Sequence, residues 1–134
     1  MTGEYVKVAS HGLIKKDNKF LITHRATIND YQPNLWDIPG GTVEFQEKAE
    51  AALNREISEE SGLKVDIVKP IFVYDFASGP LRHQFQIVYE CNYISGEVVL
   101  NPEEHDEFKW VTIEELESLP KIAFLEELFK FIKN

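Results

Sequence analysis

The stretch from Glu47 to Ser61 has no Gly or Pro and is rich in Glu, Ala, Leu and Arg, with Gly62 directly after it. Such a run favours helix, and the glycine is a natural C-terminal stop. With Ala49 at zero, Ala52 falls at about 300°, Glu56 at about 340°, Glu60 at about 20°, Leu53 at about 40° and Ile57 at about 80°. The alanines, Leu53 and Ile57 form the only run of neighbouring apolar positions, so this arc must face the rest of the fold. Glu56 and Glu60 lie inside it, and Glu59 lies on its flank at about 280°.

That placement constrains the fold and the chemistry together. Moving an ion out of water costs several kcal/mol, of order 5 even after relaxation, and neighbouring carboxylates also repel. Arg55 is the only nearby cation on the helix, and one guanidinium does not neutralise three glutamates. A hard divalent cation would, because Mg²⁺ takes oxygen ligands and fills its remaining positions with water and phosphate. The competing reading is an acidic helix with a solvated face, since exposed like-charge pairs cost little. An EF-hand would need oxygen ligands spaced through a loop with a central Gly, which Asp17-Asn18 does not supply.

The remaining sequence describes one ordinary domain. The 134 residues suit a single core, and 43% hydrophobic with 28% charged residues excludes disorder as the default. A formal charge of −9 excludes a nonspecific grip on nucleic-acid duplex or docking on an anionic membrane. A small phosphate-bearing ligand stays open if a divalent metal stands between it and the protein. Cys91 is the single cysteine, so no internal disulfide forms, and its apolar neighbours predict a buried thiol. No apolar stretch reaches the roughly 20 residues of a membrane span. The N-terminus has no signal-peptide layout, so a cytoplasmic protein is expected.

Residues 4–14 and 20–25 read as a hairpin around a turn at 15–19, and residues 26–41 read as loop, with Asn29, Asp30, Pro33, Asn34 and Pro39-Gly40-Gly41. Strands are predicted at Val65–Phe76 and Gln84–Ile94, separated by a Ser78-Gly79-Pro80 turn, and at Phe108–Val111. Thr112 and Glu115 fit a capping box opening a short helix, which should reach Leu119. Ile122, Leu125, Leu128, Phe129 and Ile132 recur at helical spacing. The order β-β-loop-α-β-β-β-α-α predicts an α/β fold, a mixed sheet with helices on its faces.

Gly41, five residues, Glu47, seven residues and Arg55-Glu56-Ile57-Ser58-Glu59-Glu60-Ser61-Gly62-Leu63 resembles the complete signature of the Nudix (MutT-like) hydrolases, at residues 41–63. Trp36-Asp37-Ile38-Pro39-Gly40 resembles its usual lead-in. The resemblance implies a Nudix α/β/α sandwich, with residues 1–134 as a single domain. It also implies Mg²⁺- or Mn²⁺-dependent hydrolysis of a nucleoside diphosphate linked to another group. Carried over by position, Glu56, Glu59 and Glu60 would bind metal, helped by the backbone carbonyl of Gly40. Arg55 would orient the glutamates. Glu47 would hold the loop-helix-loop together, and Gly41 and Gly62 would serve backbone shape. A base must take the attacking water's proton. Glu104 is the choice from the acidic loop 101–107, with Glu103 and Glu107 as rivals and Glu59 as the signature candidate. Arg25, at the end of the second strand, would contact phosphate, while His24 is assigned no role. Trp36 and Phe76 are the aromatics considered for substrate binding, Trp36 leaning towards a structural role.

Substrate identity is weakly marked, because specificity in such a fold lies in loops and pocket walls. Pro80 lies close to, but not clearly on, the downstream proline of ADP-ribose hydrolases. Tyr74 is too early and Tyr89 too late for the tyrosine of dinucleoside polyphosphate hydrolases. Elimination leaves a nucleoside triphosphate, including modified or deoxy forms. ADP-ribose, dinucleoside polyphosphates and nucleotide sugars are the alternatives, and a non-catalytic nucleotide sensor is the rival from another class. The expected partner is a small-molecule nucleotide, and the chain is expected to act as a monomer or homodimer.

Overall fold

The computed structural model describes residues 3–28 and 32–133. The loop positions Asn29 and Asp30 lie outside the described residues. Strands β1 (Tyr5–Lys16) and β2 (Lys19–Arg25) form the expected hairpin. Its two turn residues, Asp17 and Asn18, both take positive φ, the turn geometry that matches strand twist. Two short strands follow, β3 (Trp36–Asp37) and β4 (Gly40–Thr42), then helix α1 (Ala49–Ser61). The long arms β5 (Lys64–Gly79) and β6 (Arg82–Ser95) come next, then β7 (His105–Val111), α2 (Ile113–Glu117) and α3 (Ala123–Lys133).

The sheet is mixed, because β1 runs parallel to β6 from Tyr5↔Arg82 to Lys15↔Asn92 while its other pairings are antiparallel. β6 occupies one side of β1, so β2 and β4 share the other. β7 likewise occupies one side of β2, leaving β1 and β3 on the other. The hairpin therefore pairs directly only at Lys15↔Phe20 and Lys16↔Lys19 before it opens, and β3 and β4 fill the fork. This fork is what positions the site.

Alternation along the strands builds one core on each face. Leu13, Ile22 and Val88 pack with Trp36, Leu116, Phe124, Leu125, Leu128 and Phe129 beneath α2 and α3. Ile14, Leu21, Tyr89 and Cys91 pack with Leu53 and Ile57 of α1. The result is the expected α/β/α sandwich. The Thr112 capping box is formed as read, with the Glu115 N–H donating to Thr112 Oγ1 and the Thr112 N–H to Glu115 Oε1. Pro70 is tolerated in β5 because that strand lies at the sheet edge. Cys91 is buried, and burial pushes its thiol up to about 12. Among the described residues no helix is long and apolar enough to cross a membrane.

Several boundaries differ from the sequence reading: the β1–β2 turn is Asp17-Asn18 rather than 15–19, β7 starts at His105 rather than Phe108, and α2 ends at Glu117 rather than Leu119. The segment 26–41 is not all loop, because β3 and β4 are paired into the fork. α1 starts at Ala49 rather than Glu47, whose carboxylate instead accepts from the Glu44 N–H at 3.0 Å and stays with the loop. The β5–β6 turn is Pro80-Leu81, with both arms longer than read and closed by the Gly79↔Arg82 pair.

Candidate active site

The α1 arc is buried as the helical wheel requires. Ala52 and Leu53 are fully buried and Ile57 nearly so, while Gly62 caps the helix at φ 73° with its N–H on Ser58 O. Arg55 organises the acidic side chains. Its Nε and Nη2 grip the Glu47 carboxylate at 3.0 Å each, Nη2 also donates to Thr42 O at 3.1 Å, and Nη1 donates to Glu56 Oε1 at 2.7 Å. These bonds hold the guanidinium firmly charged, Glu47 contributing most and Glu56 next. The Glu47 carboxyl is held below the usual range chiefly by Arg55.

Glu60 lies at the other end of the same arc. Burial pushes its carboxyl up to about 9, helped by the charge of Asp37 and by a hydrogen bond and charge from Glu56. The Gly40 N–H reaches Glu60 Oε1 at 3.5 Å, so the contact seen at Gly40 is through its amide. Gly41 leaves the room that Glu56 occupies, since a methyl group there would overlap the Glu56 carboxylate. Glu59 stands apart, with a 62% exposed side chain 3.7 Å from Arg55 Nη1. Among the described residues no three acidic, His or Cys side chains converge on one point tightly enough to form a ready metal cage. The donor chemistry nevertheless fits a hard divalent ion. The carboxylates are oxygen donors, and Glu60 cannot ionise readily without a nearby cation.

Glu60 faces a cleft of about 870 Å³ at the fork, walled also by Gly40, Gly41, Asp37, Arg25, Glu103 and Glu104. The opposite rim is Ile122, Ala123 and Phe124 at the start of α3. Arg25 bonds Asp37 Oδ2 at 3.3 Å from inside the fork. Asp37 is buried, which raises its carboxyl to about 6 despite the Ile38 N–H at 2.7 Å and the Arg25 charge. The cleft floor is made of two rungs across β1, β6 and β5. These are Lys7–Gln84–Phe76 and Ala9–Gln86–Tyr74, with His11 next along β1, while its sheet neighbours Val88 and Phe72 belong to the core.

The structure thus brings Glu60, Gly40, Gly41, Arg25, Phe76 and Glu104 to one cleft, with Glu56, Arg55 and Glu47 behind Glu60. Trp36 does not join them. It is 4% exposed in the α3-side core, with the His24 ring centroid 5.0 Å from its own in an edge-on arrangement, and so offers no face to a substrate. Glu107 does not line the cleft either, because it pairs with His24 further along β7. Cleft residues not singled out from the sequence include Lys7, His11, Gln84 and Gln86, and Asp37 is marked there only as part of the lead-in. Their signal was available in Gln84 and Gln86, which alternate with Phe85 and Ile87 and so place amides on one strand face.

The family model described as NUDIX domain matches residues 6–132. An ADP-ribose pyrophosphatase from Methanocaldococcus jannaschii is 37% identical, aligned over 95% of this chain and 71% of its own length. A nucleoside triphosphatase NudI from Enterobacter is 32% identical over 80% of this chain and 82% of its own. Among solved structures, a MutT NUDIX hydrolase from Burkholderia pseudomallei superposes with a TM-score of 0.84 at 26% identity, covering 95% of this chain and 98% of that one.

Proposed function

The chain belongs to the Nudix family of hydrolases, and on that premise we propose that it is a metal-dependent pyrophosphohydrolase, one domain over residues 1–134. Its substrate would be a nucleoside diphosphate linked to another group, the water attacking a phosphorus of the anhydride bond. One observation carries the reading. Glu56 and Glu60 share a hydrogen bond beside a cleft of about 870 Å³, and burial holds Glu60 far above an ordinary carboxyl.

Glu56, Glu59 and Glu60, with the Gly40 carbonyl, would hold Mg²⁺ or Mn²⁺. When bound, such an ion screens phosphate charge, acidifies water and stabilises the leaving phosphate. The chain's own residues do the rest. Arg55 fixes Glu56 from behind, Glu47 fixes Arg55, and Gly41 leaves the space for Glu56. Arg25 and Lys7 face the cleft and would take the outer phosphate charge. Glu104 lines the cleft and would accept the water's proton, with Glu103 as its rival. Glu59 would serve metal first, because Arg55 is already its neighbour. The rung aromatics Phe76 and Tyr74, with centroids 5.7 Å apart, offer a base the apolar support it needs.

A nucleoside triphosphate or a modified form of one is the first reading, supported by the NudI resemblance. ADP-ribose is the second, supported by the name of the Methanocaldococcus relative. Both are small nucleotides consistent with a cytoplasmic enzyme. The test is product analysis over nucleoside triphosphates, ADP-ribose, dinucleoside polyphosphates and nucleotide sugars with Mg²⁺. Turnover of at least one that is lost without metal supports the proposal, and absence of turnover on all of them overturns it.

A further inference from the structure

Two polar side-chain atoms in the cleft have no hydrogen-bond partner among the described residues: Gln86 Oε1 and His11 Nδ1. Both residues are only 7% exposed, and both line the cleft. A buried acceptor without a donor is rare in native proteins and calls for a ligand or ordered water. The rung that carries Gln86 also shows where such a ligand would fit. Ala9 stands beside Gln86 on β1 and Tyr74 stands beside it on β5. Ala9 is a small residue lining the cleft beside the amide, and the tyrosine with neighbouring Phe76 supplies flat apolar surface. A hydrogen-bonding group with aromatic carbon alongside suits a planar heterocycle, not a phosphate.

Resting on the nucleotide reading above, we propose that Gln86 selects the base, its side-chain carbonyl accepting from the exocyclic amino group of an amino-bearing base such as adenine or cytosine. The deaminated counterparts, hypoxanthine and uracil, carry a carbonyl oxygen at that atom. With the amide oriented as observed, two acceptors would then face each other and one buried group would go unpaired. Sites that hydrogen-bond a substrate group reject an analogue lacking it for this reason. His11, one rung nearer the Gly40–Gly41 pair, meets the sugar side of the same ligand.

Binding of nucleoside monophosphates without metal tests the assignment independently of hydrolysis. Titration calorimetry should find AMP bound at least about tenfold tighter than IMP, and CMP tighter than UMP by a similar factor. In Gln86→Leu, one atom shorter and without an acceptor, each ratio should fall within about threefold of unity. Gln86→Glu, which keeps an acceptor in place, should retain the preference. Equal wild-type affinities for AMP and IMP overturn the proposal whether or not a variant folds. So does a preference that survives in Gln86→Leu, or failure of both monophosphates to bind at millimolar concentration. Hydrolysis without base preference would sink this assignment and leave the pyrophosphohydrolase reading standing. Base-selective binding without hydrolysis would do the reverse.

Discussion

Gly40 and Gly41 are adjacent, yet a methyl group added at each should fail in a different way. At Gly41 the new carbon would overlap the Glu56 carboxylate, with Oε2 at 2.6 Å and Cγ at 2.9 Å. These are atoms of a side chain that can swing. Restoring ordinary contact at about 3.5 Å moves the carboxylate by roughly 1 Å. That movement strains the 2.7 Å bond to Arg55, which holds the carboxylate in its observed place. A displacement of about 1 Å at reacting geometry costs roughly a hundredfold in rate. At Gly40 the overlap is with Ser10 O and with His11 Cα at 2.6 Å, which are backbone atoms of β1. Relief there means parting β4 from β1, an overpacking cost of about 3 kcal/mol. Thermal melting and steady-state kinetics on Gly40→Ala and Gly41→Ala separate the cases. Gly41→Ala should melt within about 4 °C of wild type and lose about a hundredfold in kcat/KM. Gly40→Ala should lose about 10 °C or more. If Gly41→Ala turned over normally, the Glu56 carboxylate would not need its observed place, and the reasoning would be refuted.

Glu60→Gln should lower kcat about a hundredfold or more while making the metal-free protein more stable than wild type at pH 7. The folded Glu60 carboxyl, pushed up to about 9, holds a proton that the unfolded chain releases above about pH 4.5, a folding cost the neutral amide does not carry; urea unfolding checks this. Glu104→Gln should lower kcat about a hundredfold with KM nearly unchanged, and Glu107→Gln should change neither by more than about threefold. His105 is buried and its ring is lowered to about 4, first by burial and next by the Arg25 charge. The unfolded chain therefore binds more protons than the folded one between about pH 6.5 and 4, so this group's stability contribution is lost as pH falls through that window. Unfolding of wild type and His105→Gln across it should diverge by on the order of 2 kcal/mol, the variant being less acid-sensitive. Parallel pH curves would contradict that assignment. Trp36→Ala should cost about 4 kcal/mol as a core truncation. Substrate KM should stay near wild type in whatever fraction remains folded.

The parts of this molecule that were legible in its sequence are those governed by local rules. The α1 arc, the Asp17-Asn18 turn and the Thr112 capping box each follow from spacing or residue type within a few positions. The fork was not legible. β3 and β4 are two and three residues long, too short for any periodicity, and exist only because distant strands open around them. Asp37 and Trp36 went unresolved for the same reason. Whether adjacent residues of one short strand reach the cleft or the core depends on the fork, and here the acid lines the cleft while the indole is buried. His11 and Gln86 were hidden by the assumption that inward strand positions are apolar, which holds for a core and fails for the floor of a site.

The central claim is that Glu56 and Glu60 are held together to receive a divalent ion. Titrating Mn²⁺ into the protein at pH 8, with free ion followed by electron paramagnetic resonance, measures this without substrate. Wild type should bind the ion, and Glu56→Gln and Glu60→Gln should each weaken binding about tenfold or more. Unchanged Mn²⁺ affinity in both variants would contradict the account.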